Sequence, residues 1–271
     1  MSNPLKSAQT EEMVSTPGGN RPVSKVHRIP EGGRLAHVGN EIHVIDANNN
    51  VVLKANLGDS DSDDPDNSAW KAYTYWTYDS SPPIQNFLTT WTVPPTPTTD
   101  NGQTIFLFNS IEPSGYPAIL QPVLQWGNSG AGGGSYWSIA TWYLIGSNKL
   151  AFATSLTEVS TGDSLEGAIR LTSYSDSSFD YKAGFDGISN SLLTITGVRE
   201  LVYVTETLEA YSITQSSDYP SGSTSFSNIN VTLTDSTFPS LSWSSVAADG
   251  LSVTVDVDGS QDGEITIQYP S

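Results

Sequence analysis

The sequence contains no cysteine. Disulfides, thiolate nucleophiles and Cys-ligated metal sites are therefore excluded. Histidine occurs only as His27, His37 and His43, all before Trp70. A Ser-His-Asp triad or a His-ligated zinc is implausible in the body that follows. Cations are scarce: 11 Lys/Arg stand against 29 Asp/Glu, a net charge of −18. Such a chain repels a phosphate backbone, so nucleic acid is not an expected partner. No apolar run approaches the length of a membrane span, and no membrane partner is expected. The first thirty residues are polar and lack the apolar core of a signal peptide. No P-loop or dinucleotide fingerprint is present. No cofactor and no metal are expected, and a monomer is the expected state.

What remains is a strand-forming vocabulary. Ser, Thr, Gly and Asn abound, and apolar residues make up 37% of the 271 positions. From Trp70 onward, short β-rich runs such as Phe87–Val93, Thr104–Phe108, Ala118–Trp126, Tyr136–Ile145 and Leu201–Ile213 alternate with turn residues. About a dozen such runs without a helical period predict an all-β jelly-roll sandwich over residues 67–271.

The first 66 residues differ in composition. Residues 1–58 hold six Lys/Arg and five Asp/Glu; residues 59–271 hold five and twenty-four. We read residues 1–30 as lacking structure and residues 34–54 as a small hairpin around an Asn-rich turn. Residues 1–66 form an extension, either a solvated tail or a pro-segment held partly by charge that acid would loosen. The acidic run Asp59–Asp66 begins like a calcium loop, but Trp70 stands where the distal Glu belongs, so it reads as a linker.

A catalytic body with this inventory must work through carboxylates, amides, hydroxyls and water, which suits peptide or glycoside hydrolysis. Along Leu201–Glu209, side-chain alternation puts Val202, Val204, Glu206 and Leu208 on one face and Thr205, Thr207 and Glu209 on the other. Glu206 interrupts an apolar face, where desolvation raises a carboxyl pKa. In Ala118–Trp126, Ile119, Gln121, Val123 and Gln125 share a face unless Pro122 marks an edge or a bulge. An amide such as Gln121 can donate to a developing oxyanion.

At these residues the sequence resembles the glutamic peptidases, the eqolisins, which have a concanavalin A-like β-sandwich. Trp91-Thr-Val-Pro94, Ala118-Ile-Leu-Gln121, Trp142-Tyr143, Gly162-Asp-Ser164, Thr205-Glu-Thr-Leu-Glu209 and Phe226-Ser-Asn228 follow the order of that family's segments. The resemblance implies Gln121 as the oxyanion-stabilising amide and Glu206 as general base, with Glu209 as the fallback. It implies Phe108 and Glu112 near the cleft, in place of the family's Trp and Asp, with Trp142 and Tyr143 on the next strand. It also implies a peptide or protein substrate and secretion, although the polar start leaves a cytoplasmic location open. The chain departs from the family in lacking cysteine, a visible signal peptide and a Trp-Ile before the glutamate.

Three readings follow. One is an acid-acting endopeptidase with a Gln/Glu dyad. The second is a non-catalytic, lectin-like sandwich whose aromatics bind a glycan. The third is a glycoside hydrolase using Glu112 and Glu206, which needs the two acids about 5–9.5 Å apart.

Overall fold

Alternating β-branched and aromatic residues separated by Gly, Pro and Asn produce strands throughout the computed structural model, which describes residues 11–57, 67–115, 117–146 and 149–271. The chain opens with β1 (Met13–Thr16) and β2 (Gly19–Pro22), then β3 (Val26–Arg28), β4 (Arg34–Val38), β5 (Glu41–Ile45) and β6 (Val51–Asn56). Next come β7 (Trp70–Thr77), β8 (Ile84–Thr92), β9 (Thr104–Pro113), β10 (Ala118–Ser129), β11 (Gly132–Ile145), β12 (Leu150–Ala153) and β13 (Thr157–Glu158). The remainder is β14 (Ser164–Ser175), β15 (Ser178–Phe185), β16 (Leu193–Val198), β17 (Leu201–Tyr211), β18 (Ser223–Leu233), β19 (Ser244–Ala247), β20 (Ser252–Val257) and β21 (Gly263–Gln268).

β1 and β2 pair only with each other, and the other strands form a two-sheet β-sandwich, as the sequence predicts. The first sheet runs β19-β7-β17-β9-β10-β11-β12-β3, with β13 also on β11. The second runs β20-β21-β18-β8-β14-β15-β16-β4-β5-β6. The core lies between them. Leu107, Leu120, Leu124, Tyr143, Val204 and Leu208 of the first sheet meet Phe87, Trp91, Ile169 and Phe226 of the second. The Trp91 ring lies 5.4 Å from Phe226 and 5.6 Å from Phe185. Each such side chain contributes about 1.5–3 kcal/mol on burial.

The first sheet is buried on its other face as well. Phe106, Phe108, Ile119, Val123, Ala140 and Trp142 form a second apolar cluster there. This explains why β9 is buried along its whole length rather than at alternate positions.

Two expectations change. Residues 11–28, read as lacking structure, form β1, β2 and β3. The predicted small hairpin at 34–54 is three strands, and they belong to the sandwich: β4 pairs in parallel with β16, and β3 pairs in parallel with β12. The leader thus adds strands to both sheets. The acidic run at 59–66 lies outside the described residues. Among the described residues no helix is long and apolar enough to cross a membrane.

Candidate active site on the outer face of the first sheet

Gln121 sits in the middle of β10, a central strand. Its register against β11 is unbroken from Ala118 to Trp126, and the shift comes only after Trp126. Pro122 therefore makes neither an edge nor a bulge there. Having no N–H to give, it stands where the ladder to β9 jumps from Leu120↔Ile111 to Val123↔Phe108. Parity is kept, and Gln121 lies on the outer face beside Ile119 and Val123, directly opposite Trp142 of β11.

Strand β17 carries both candidate glutamates. Glu206 points between the sheets. It is fully buried, accepts a hydrogen bond from the Thr89 hydroxyl of β8, and pairs in register with Asn109, whose amide donates to the Gly167 carbonyl of the second sheet. Burial pushes its pKa well above the ordinary value, against which the Thr89 bond works only partly. Glu209, an odd number of residues further on, points to the outer face. It is also fully buried, and Trp70, Phe106, Phe108 and Tyr211 line that end of the face. Trp70 meets Phe108 edge-on at 5.9 Å, and Phe106 meets Tyr211 at 6.2 Å.

The tip of the β1–β2 hairpin brings Gln121 and Glu209 together. Gln121 Nε2 donates to the Pro17 carbonyl oxygen, and the Gly18 N–H donates to Glu209 Oε1 over 3.1 Å. The two side chains therefore address the carbonyl and the N–H of one peptide unit. Tyr211 completes the arrangement: its hydroxyl donates to Glu209 Oε1 and accepts from the Gly19 N–H at 3.0 Å. Burial raises the Glu209 pKa to about 7, while the bonds from Tyr211, Gly18 and Gly19 and the nearby Trp70 indole pull the other way. Gln121 Oε1 and Glu209 Oε2 remain buried without hydrogen-bond partners.

No family model matches the chain. No curated protein matches it. Among solved structures, one match is SCP-B, a member of the eqolisin family of peptidases in complex with the tripeptide Ala-Ile-His. The identity is 16%, the TM-score 0.43, and the match covers 74% of this chain and 98% of that chain.

The other residues singled out in the sequence separate cleanly. Phe108 and Trp142 share the outer face with Gln121. Tyr143 points the opposite way, into the core, where its hydroxyl meets His37 Nε2 at 3.1 Å. Glu112 is buried at the far end of β9, paired with Tyr203, whereas Glu209 pairs with Phe106. Six residues along neighbouring strands separate these two acids by about 20 Å. Glu112 has the parity of the outer-facing Phe106 and Phe108, and Glu206 faces inward, so these two do not flank one cleft. Among the described residues no three His, Asp or Glu side chains gather as a metal site requires.

Tyr211, Trp70 and the Pro17-Gly18-Gly19 tip were not singled out from the sequence as site residues. A signal for the tip exists: Pro-Gly is a turn dipeptide, here flanked by Val14-Ser-Thr and Asn20-Arg. Alternation puts Tyr211 on the Glu209 face, but its role comes from the hairpin tip, whose Gly19 N–H it receives and which no local pattern brings there.

Proposed function

We propose that the chain is an acid-acting glutamic-type endopeptidase, with Gln121 and Glu209 as its dyad and a peptide or protein as its substrate. One observation carries this reading: an amide donor and a carboxylate hold the carbonyl and the N–H of the same peptide unit. Hydrolysis needs those two groups in those two places.

The chemistry follows from the positions. Ionised Glu209 takes a proton from water, and the water oxygen adds to the carbonyl carbon. Gln121 Nε2 donates to the oxygen as it becomes an oxyanion, the moment when a fixed donor is most effective. Glu209, now protonated, gives that proton to the departing nitrogen, and the C–N bond breaks. The pKa near 7 belongs to the covered carboxyl. An open cleft rehydrates it and returns it toward 4.5, so the base is ionised in mild acid. Glu206 is set aside as the base because it lies between the sheets against Thr89, where a substrate does not reach. Phe106, Phe108, Trp70 and Trp142 would form the apolar wall for substrate side chains.

The test is hydrolysis of a denatured protein between pH 2 and 8 by the wild type, Glu209→Gln, Gln121→Ala and Glu206→Gln, each also with the hairpin tip disrupted as described below. Acid cleavage lost in the first two variants and kept in Glu206→Gln supports the dyad. No cleavage at any pH in any form would overturn the peptidase reading.

A further inference from the structure

Gln121 and Glu209 are fully buried although they lie on the outer face of a sheet. The hairpin covers them. Thr16 pairs with Gly19, so Pro17 and Gly18 form a two-residue turn. In such a turn the flanking residues close the hairpin, and the central peptide has its C=O and N–H left over. Here those leftover groups are the ones held by Gln121 and Glu209.

The hairpin is fastened on several sides. Arg21 is 2% exposed and its guanidinium donates to the Ile145 carbonyl at 3.2 Å and back to the Gly18 carbonyl at 3.3 Å. The carbonyl of the fully buried Thr16 lies 3.1 Å from the Tyr211 hydroxyl oxygen, whose one proton serves either it or Glu209. The Gly130 N–H, in the β10–β11 turn, donates to the Ser15 carbonyl at 2.8 Å. Beyond the hairpin, β3 joins the edge of the same sheet.

The backbone at the tip is not that of an extended substrate. Gly18 has φ 118° and Gly19 has φ 107°. L-residues rarely adopt these angles, and a substrate lying extended across a sheet does not use them. The tip offers the dyad the polar groups of a peptide bond on a chain that turns back on itself.

We propose that the β1–β2 hairpin is a tethered pseudosubstrate: residues 13–22 occupy the peptide-binding face, present the Pro17–Gly18 unit to Gln121 and Glu209, and block access by other chains. This rests on the peptidase reading for its consequence, but not for its geometry. Activity requires the hairpin to swing away while β3 to β6 stay in the sandwich.

The experiment uses the full chain. Gly18→Val and Gly19→Val each place a β-branched residue at a positive φ, which expels the tip without touching the sandwich core; near-ultraviolet circular dichroism checks that the core persists. Hydrolysis of an extended fluorogenic peptide is compared with the wild type at pH 4 to 5. A synthetic peptide of residues 11–22 is titrated into each protein by calorimetry. We expect at least a tenfold gain in rate in both variants, one-to-one binding of the peptide to the variants but not to the wild type, and loss of the gained activity when the peptide is added. Equal rates in an active wild type and its variants would overturn the plug. If no form hydrolyses peptide, the peptidase reading has failed and the titration alone decides: binding to the variants but not the wild type supports the plug, and any other result overturns it.

Discussion

Glu206 and Glu209 lie three residues apart on β17 and point to opposite faces of its sheet, one toward Thr89 in the core and the other toward the hairpin tip. The period of a strand is two, so an odd spacing puts two acids in different environments. Both carboxyls are pushed up by burial, but only Glu209 shares a face with Gln121. A raised pKa alone therefore does not choose between them.

The substitution series separates the two roles. In a form with the tip disrupted, Glu209→Gln and Gln121→Ala are expected to lower kcat by 100-fold or more, the scale of losing a base or an oxyanion donor. Glu206→Gln keeps the shape and the Thr89 contact and is expected to leave kcat within about threefold, with a stability change of about 1 kcal/mol or less. Steady-state kinetics and urea unfolding on the same preparations check both.

Stability is expected to rise as the solution becomes acidic. The Glu209 pKa is about 7 in the folded chain against an ordinary 4.5. A group raised in the folded state contributes stability that is complete below its unfolded pKa and is lost as pH rises through the folded one. The shift is worth about 3 kcal/mol, and Glu206 acts in the same direction. Urea midpoints at pH 5 should exceed those at pH 8.5; a midpoint that rises with pH across this window would contradict the assignment. The sequence alone has acid loosening a leader held by charge, whereas this carboxyl sends the effect the other way.

Asp218 behaves oppositely. Burial would raise its pKa, but hydrogen bonds from Thr99, Thr214 and Asn101 outweigh this and hold it well below the usual carboxylate range. Those bonds tie the loop before β9 to the loop after β17. Asp218→Ala is expected to cost about 2–4 kcal/mol near neutrality. The cost should shrink as pH falls below about 4, because the wild type loses the same stabilisation there. Thermal melts at pH 3 and pH 7 measure the difference.

Gly167 tests the packing between the sheets. A Cβ there would meet Asn109 Oδ1 at 2.3 Å and the Trp91 ring at 2.7 Å. Gly167→Ala is expected to destabilise by about 1–3 kcal/mol, as overpacking does. Urea unfolding measures it, and an unchanged midpoint would show that the Trp91 ring has room to move.

Much of the fold was legible because strand runs and turn residues are local signals. Ala118–Trp126 and Leu201–Ile213 read as strands, the second ending two residues earlier in the structure, at Tyr211, and alternation placed Glu206 and Glu209 on opposite faces. It did not say which face met Gln121, since β10 and β17 are separated by β9 and their relation is set by pairing register rather than by either segment. Tyr143 misleads for a similar reason: its neighbour Trp142 lines the outer face, so Tyr143 must face the core. The leader was the least legible part. Its strands β3 and β4 are short, and they are held by β12 and β16, more than a hundred residues away in sequence.

That pairing sets an order of assembly. Val26 finds its partner at Ala151, and Arg34 finds its partner at Thr194. The hairpin of β4, β5 and β6 forms from near neighbours in sequence, but β3 has no sheet neighbour until β12 is in place, and β4 has none on its other side until β16 is, long loop closures that come late in folding. The β1–β2 hairpin, anchored through β3, is seated later still. The newly formed sandwich passes through an interval in which its outer face is bare, and that interval closes only when the hairpin is seated.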